Sequence, residues 1–503
     1  MINNIPGLCV LAPLLAGLFV MLSPRPSVAR RLFIGAVLAA LTTMAGWAVT
    51  HVMAEGPLVL RLGGWVVPYG IVLVMDTLAA VMVTVSLFTA LGCVLFGFAD
   101  TPVEDEHPLR LPLVMCLMTG INLSFLTGDL FNLFVGFEVM LLSSYALLTL
   151  EVGARDSRHA FPYLIINLVA SALFIGACGF TYSLLGTLNF AEMIVRADML
   201  AGDFRLTSLG VFLAVVFSIK AGAFPLYYWL PGAYPIMPAP MTALFGGLLT
   251  KVGVYVLLRI FGTVFPVIEG LQTAFLWVGV VTIFTGVLGA VSQYSVQRIL
   301  SFHIVSQIGY MLLALGLPGP EAMAAVILFL IHNILVKSSL FLVGGTILRV
   351  NGTDTLTGTG NLWRAMPILG ILFLMQALSL AGLPPFSGFW GKVAIAMAGF
   401  NQGEWVAVGL AIAGSILTLM SMLKIWLGAF WKTDPAVPVN NDGRARWTVA
   451  VVALFAVAAL WVGIGAENFA RITRHAGAEA VDRAGYAANV HGANSTVYEG
   501  KQP

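Results

Sequence analysis

Charge is what this sequence has least of: 10% of its 503 residues are charged and 59% are hydrophobic, against roughly 25% charged in a soluble globular protein. No water-soluble interior could hide that excess, so a soluble fold is excluded. Cysteine is scarce as well. Cys9, Cys93, Cys116 and Cys178 all lie in apolar runs without a CxxC pairing, which excludes a disulfide framework and a metal knuckle and leaves them as packing residues. The chain has no G-x-x-x-x-G-K-[ST] loop, no dinucleotide fingerprint after a strand, no H-E-x-x-H and no cysteine set for iron-sulfur ligation. It therefore reads as having no cofactor, no metal and no redox group of its own. The net charge of +2 comes without a basic cluster, so nucleic acid is not a partner.

What is present is a near-continuous series of apolar runs, each about 20 residues long, the length that crosses a bilayer. Read this way the chain is an all-α polytopic membrane protein of about fourteen spans: 5–22, 32–52, 70–98, 109–127, 129–151, 161–187, 206–232, 239–264, 271–294, 299–316, 322–349, 365–400, 405–431 and 447–465. The first run lacks a basic leader and reads as a retained helix. The stretch Leu58 to Trp65, with its alternation and paired glycines, predicts a small surface hairpin. The segment after Glu467 is Ala/Gly-rich and polar, predicted to be partly disordered.

Orientation follows from short-loop arginine and lysine. With the N-terminus outside, Arg25, Arg30, Arg31, Arg110, Arg155, Arg158, Arg298, Arg349, Arg364, Lys432, Arg444 and Arg446 fall in the cytoplasm, and only Arg61, Arg196, Arg205 and Arg259 fall in outer loops. Both termini are thus predicted on the outer side, although the last segment adds four more basic residues there.

Two spans are interrupted. Lys220-Ala221-Gly222-Ala223-Phe224-Pro225 and Ala381-Gly382-Leu383-Pro384-Pro385 each place glycine and proline where a helix should continue. The Ala-Gly-x-x-Pro pattern recurs 160 residues apart. Broken helices at matching points of two five-helix blocks mark the path in transporters. The expected organisation is an N-terminal part (1–108), a first repeat (109–264), an inverted second repeat (265–431), and a final helix with a polar tail (432–503).

A charge at the bilayer centre costs about 2.5–3.5 kcal/mol even on a lenient scale, so buried charges are usually functional. Five of seven lysines, Lys220, Lys251, Lys337, Lys392 and Lys424, fall inside spans, whereas all eighteen arginines are placed in loops, at helix ends or in the tail. Arginine never loses its proton in a protein; a desolvated lysine can. The first four lysines are candidate proton carriers, and Lys424, near a helix end, is a snorkelling residue. Glu138 lies mid-span with no charge within eight residues and needs a partner from another helix. Asp76 and Asp129 are read as structural, Asp129 at a helix start. His332 is central to a span, beside Asn333; Lys337, five residues on, lies about 140° around the helix, on another face. His303 is a further candidate.

At this point the sequence resembles a family. Phe137-Glu138-Val139-Met140-Leu141-Leu142-Ser143-Ser144-Tyr145, Ser218 to Leu226, Leu230-Pro231, Leu249 to Tyr255, His332 to Ser338 and Gly388 to Lys392 are similar to the antiporter-like subunits of respiratory complex I, membrane-bound hydrogenases and Mrp-type cation/proton antiporters. The Glu-Val-x-Leu-Leu-Ser-Ser-Tyr-Ala run, the stretch Pro238 to Phe245 and lysine at 392 are most similar to the Mrp D-type subunits. The resemblance implies a Na+/H+ exchanging hetero-oligomer of membrane subunits in a bacterial inner membrane, with inverted repeats spanning the fourth to thirteenth helices. Lys220 precedes its break whereas Lys392 follows its own, so the half-sites need not be equivalent.

Together these readings predict a secondary transporter subunit, not an enzyme. Glu138 pairs with Lys220. Lys220, Lys251, His332 or Lys337, and Lys392 form a hydrated proton path. Breaks at Gly222/Pro225 and Gly382/Pro384/Pro385 let water reach it. The alternative is a proton-pumping subunit of an NADH:quinone oxidoreductase or hydrogenase. A passive channel is disfavoured, since a pore needs no buried titratable lysines.

Overall fold

The computed structural model describes all residues except 1, 24, 152–156, 266, 267, 269, 441 and 493–503. Arg155 of the cytoplasmic set and the end of the polar tail lie outside the described residues.

The chain runs through α1 (Ile5–Met21) and α2 (Val28–Glu55), a hairpin β1 (Leu58–Arg61) and β2 (Val72–Met75), then α3 (Thr77–Asp100), α4 (Arg110–Leu126), α5 (Leu130–Glu151) and α6 (Ser157–Leu185). A short amphipathic α7 (Phe190–Met199) precedes α8 (Phe204–Ala221). Next come α9 (Ala239–Val264), α10 (Leu271–Ser292), α11 (Val296–Leu315) and α12 (Pro320–Asn351). The last elements are α13 (Pro367–Ala381), α14 (Ser387–Asn401), α15 (Trp405–Trp431), α16 (Gly443–Ile464), α17 (Ala466–Val481) and α18 (Arg483–His491). Among the described residues twelve helices are long and apolar enough to cross a membrane, and α4 and α13 are shorter apolar ones.

Short polar side chains start these helices by accepting otherwise orphaned first-turn amides. Asp76 caps α3 through Ala79 N–H (2.8 Å), Asp129 caps α5 through Asn132 N–H (2.8 Å), and Ser295 caps α11 through Arg298 N–H (3.3 Å). The structural reading of Asp76 and Asp129 follows from these bonds.

The two breaks are built alike. Gly222, in the left-handed region at φ 79°, donates to Ser218 O and Ile219 O, Ala223 N–H to Ser218 O, and Leu226 N–H to Ala223 O. Gly382, at φ 89°, donates to Leu378 O and Ser379 O, Leu383 N–H to Leu378 O, and Phe386 N–H to Leu383 O. Only glycine takes that backbone without strain. A second correspondence lies at the helix starts: Leu130 N–H bonds Leu188 O and Phe190 N–H bonds Gly128 O, as Val296 N–H bonds Asp354 O and Leu356 N–H bonds Tyr294 O. Pro225, Pro384 and Pro385 lie exposed on the outside of the chain.

Three expectations are corrected. The hairpin's second strand is Val72–Met75, paired antiparallel with Leu58–Arg61, so α3 begins at Thr77 rather than inside the run from 70; the paired glycines lie in the loop between the strands. The polar segment after Glu467 is helical to His491, because α17 has an apolar face that packs on α12, where Gly477 meets the backbone at Pro320 and Ala324. Arginine is not confined to the periphery either. Arg259, within α9, is 4% exposed and grips Asp76 through both guanidinium nitrogens at 2.6 and 2.9 Å.

That pair ties α9 to α3. Tyr255 and Tyr486 flank the guanidinium, each ring 5.5 Å away. Removing one partner of a buried pair strands the other and typically costs about 3–5 kcal/mol, whereas an apolar double replacement is often near neutral. Arg259→Leu alone is expected to lower the melting temperature in detergent markedly, and Asp76→Leu/Arg259→Leu to recover most of the loss; thermal unfolding of the purified protein checks both.

Candidate functional site

α9 and α12 are buried along their whole spanning windows. Between them they carry Lys251, His332 and Lys337, all with 0% exposure. Glycine lets their neighbours approach. A Cβ on Gly247 would strike the Ser338 side chain, and one on Gly253 would lie 2.6 Å from Ala221 N and 2.9 Å from Lys220 C. α9 is thus wedged between the end of α8 that bears Lys220 and the stretch of α12 that bears Lys337.

Each buried amine meets neutral acceptors. Lys220, next to last in α8 and 3% exposed, donates to Asn167 O (3.1 Å) and Ser171 Oγ (2.9 Å) on α6. Lys251 donates to Gly246 O (2.6 Å) inside a widened π turn of α9 at Phe245–Leu249, and such turns favour functional positions. Lys337 donates to Leu300 O on α11 (3.1 Å). Lys392 reaches back across its break to Leu380 O (3.0 Å) and Ala381 O (3.2 Å), the dipole-negative end of α13, and to Ser415 Oγ (3.0 Å). Its Nζ also sits 4.5 Å from the Tyr310 ring centroid.

The predicted Glu138–Lys220 ion pair does not form. Among the described residues no ion pair joins the two, which act on each other only through space. The α6 acceptors hold the amine, with the Phe137 ring 5.8 Å away, and Glu138 Oε1 is buried without a protein partner. Lys337 interacts through space with both Lys251 and Lys392, and both His303 and His332 with Lys337 and Lys392. The structure therefore brings the candidates into two groups: Glu138 with Lys220, and Lys251, Lys337, His303, His332 and Lys392 together.

His332 Nδ1 meets Ser387 Oγ at 2.9 Å, and the ring sits where a Cβ on Gly388 would be, 2.7 Å from His332 Cε1. His303 Nε2 meets Ser421 Oγ on α15. Lys424 bonds Val291 O (2.9 Å) and Gln293 O (2.7 Å) at the end of α10, with its Nζ 3.8 Å from the Tyr294 ring, a structural role at a helix end.

Further polar side chains, all but Asn333 passed over in the sequence reading, lie on these helices. Thr250 Oγ1, Ser306 Oγ, both amide atoms of Gln307 and Asn333, Ser339 Oγ and Gln376 Oε1 are buried with no protein hydrogen-bond partner. Native interiors satisfy such groups with ordered water. The available signal was neutral: Gln307 one turn beyond His303, and Gln376 inside an apolar span.

Two membrane helices, each broken once, together with buried amines bonded to neutral oxygens are apparatus for moving ions rather than for catalysis. Residues 127–418 match the family model described as NADH:quinone oxidoreductase/Mrp antiporter. The chain is 41% identical over 430 residues to the D-type subunit of the Na+/H+ antiporter of Alkalihalophilus pseudofirmus, covering 85% of this chain and 87% of that one. It is 37% identical over 470 residues to the D-type subunit of the Na+/H+ antiporter of Bacillus subtilis, covering 92% and 94%. A chain in the structure of the Mrp complex from Dietzia sp. DQ12-45-1b superposes with a TM-score of 0.88 at 32% identity, covering 98% of this chain and 99% of that one. The chain belongs to the NADH:quinone oxidoreductase/Mrp antiporter family, on the branch of the D-type antiporter subunits.

The Gly253 contact is backbone to backbone and cannot be relieved by a rotamer change. Gly253→Ala is expected to destabilise by about 1–3 kcal/mol, as overpacking does. It should also separate Lys220 from Lys251, so ion exchange should fall further than protein level; vesicle exchange normalised to immunoblot checks this.

Proposed function

We propose that this chain is the ion-translocating D-type subunit of a multisubunit Na+(K+)/H+ antiporter, and that protons move through it along Glu138, Lys220, Lys251, Lys337 with His332, and Lys392. It is a secondary transporter subunit, and its partners are other membrane subunits of the same complex. The observation that carries the path is that all four lysines bond only carbonyl and hydroxyl oxygens. Those acceptors serve an ammonium and a neutral amine alike, so a proton can leave without stranding a carboxylate. The unpartnered side chains around Asn333 and Gln307 supply places for the water that carries protons between amines.

The chain is read as crossing the bilayer fourteen times. α4, at 17 residues, spans about 25 Å at roughly 1.5 Å per residue, close to the hydrocarbon thickness of about 30 Å. α13 and α14 then form one broken crossing. On that count an odd number of crossings separates the bridge at Asp129/Asn189 from the one at Ser295/Thr355, which supports reading the repeats 109–264 and 265–431 as inverted. Arginine distribution favours both termini on the outer side.

Na+-dependent proton exchange in everted vesicles carrying the whole complex tests the reading. Glu138→Ala and Lys220→Ala are each expected to lose at least about tenfold in rate. Lys251→Arg keeps the charge but cannot release its proton, and should lose as much. Normal exchange by both alanine variants would sink the scheme, and normal exchange by Lys251→Arg would reduce that amine to a fixed counter-ion.

A further inference from the structure

A cavity of about 420 Å³ opens between the starts of α6 and α11 and the segment that follows the first break. Arg158, His159 and Arg298 line it together with Tyr228, Trp229 and Gln293, and among the described residues no carboxylate does. Arg158 and His159 stand in the first turn of α6, and Arg298 in the first turn of α11. First turns carry the positive end of the helix dipole and favour Asp or Glu. Here two helix starts converge on one cavity, and both present cations.

Three further features fix the kind of anion. Asp354 is engaged by the Ser295 hydroxyl and Gln297 N–H at the cap of α11 and is not among the residues that line the cavity. Around the same end, Phe161, Tyr228 and Tyr294 are exposed, an aromatic collar of the sort found at headgroup depth. The Lys424 amine reaches Gln293 O beside the cavity and adds a fourth basic group at that edge.

We propose that this cavity binds the phosphate of an anionic phospholipid headgroup, clamped by Arg158, His159 and Arg298 at the face that the arginine bias places in the cytoplasm. Basic pockets between membrane helices on that side suit such headgroups. Trp229 lines the cavity, and its Nε1 donates to Ile219 O, the carbonyl next to Lys220. A headgroup bound here abuts the indole that braces the first break.

The test uses the intact complex in proteoliposomes containing a photoactivatable phosphatidylglycerol, with cross-links mapped by peptide mass spectrometry. Labelling is expected at residues 227–232 and 298–302, undiminished by excess phosphatidylcholine. Arg158→Gln/Arg298→Gln should weaken it about twenty-five-fold, taking roughly fivefold per basic residue at a membrane surface, and Arg158→Lys/Arg298→Lys should restore most of it. Equal labelling of the wild type and the glutamine variant, or competition by phosphatidylcholine, overturns the proposal. So does displacement by inorganic phosphate at the lipid's own concentration, which would indicate a site for the free anion. Full protection of both arginines from phenylglyoxal in delipidated complex also overturns it, since a neighbouring subunit would then cover the cavity.

Discussion

Everything in this fold turns on how a positive charge is kept inside a medium that rejects it. The protein answers in two ways. Three of the arginines are matched to carboxylates: Arg259 to Asp76 at 2.6 Å, Arg31 to Glu106 at 2.6 Å, and Arg349 to Asp100 and Asp442 at 2.8 Å each. The spanning lysines meet carbonyl and hydroxyl oxygens instead. A carboxylate locks its partner in the charged form, because losing either charge leaves the other buried alone. A carbonyl does not. Fixed charge therefore holds helices together, and the proposed proton path runs through lysines that no carboxylate fixes.

Packing serves the same division. The two helices with the most buried spanning stretches carry three of the candidate groups, and glycines along α9 bring it against the backbone of α8 and the side chains of α12. Removing side chains at these contacts shortens the distance between amines that have no covalent connection. It also leaves room for polar groups such as Asn333 and Gln307, which no protein atom satisfies.

Much of this was legible in the sequence because membrane constraints are severe. Apolar length located the helices, missing most at the start of α3 and the end of α8, Gly222 and Gly382 gave the breaks, and a lysine in an apolar run such as Lys251 can hardly escape notice. Three things were not legible, each for a physical reason. Glu138 and Lys220 read as a pair, yet the amine bonds Asn167 O and Ser171 Oγ on α6, a choice between remote helices that no spacing rule encodes. Arg259 reads as a loop residue because its partner Asp76 is remote in sequence. The segment after Glu467 reads as polar because half of α17 faces solvent, and its apolar half is recognisable only once α12 is there to receive it.

The helices α17 and α18 also bear on how the molecule is made. Arg61 donates to Val490 O, Thr77 N–H to Glu479, and Arg483 to Thr263 O, Val264 O and Asp198. Residues among the last described thus complete hydrogen bonds of the hairpin, of α3 and of the end of α9. Asp76 emerges from the ribosome long before Arg259, and the tyrosine that covers the pair, Tyr486, comes later still. Until those later segments are made, Arg61, Thr77 N–H and Asp76 lack these partners. The final segment closes the structure as a clasp, and a chain halted before it would be an obvious target for quality-control proteolysis.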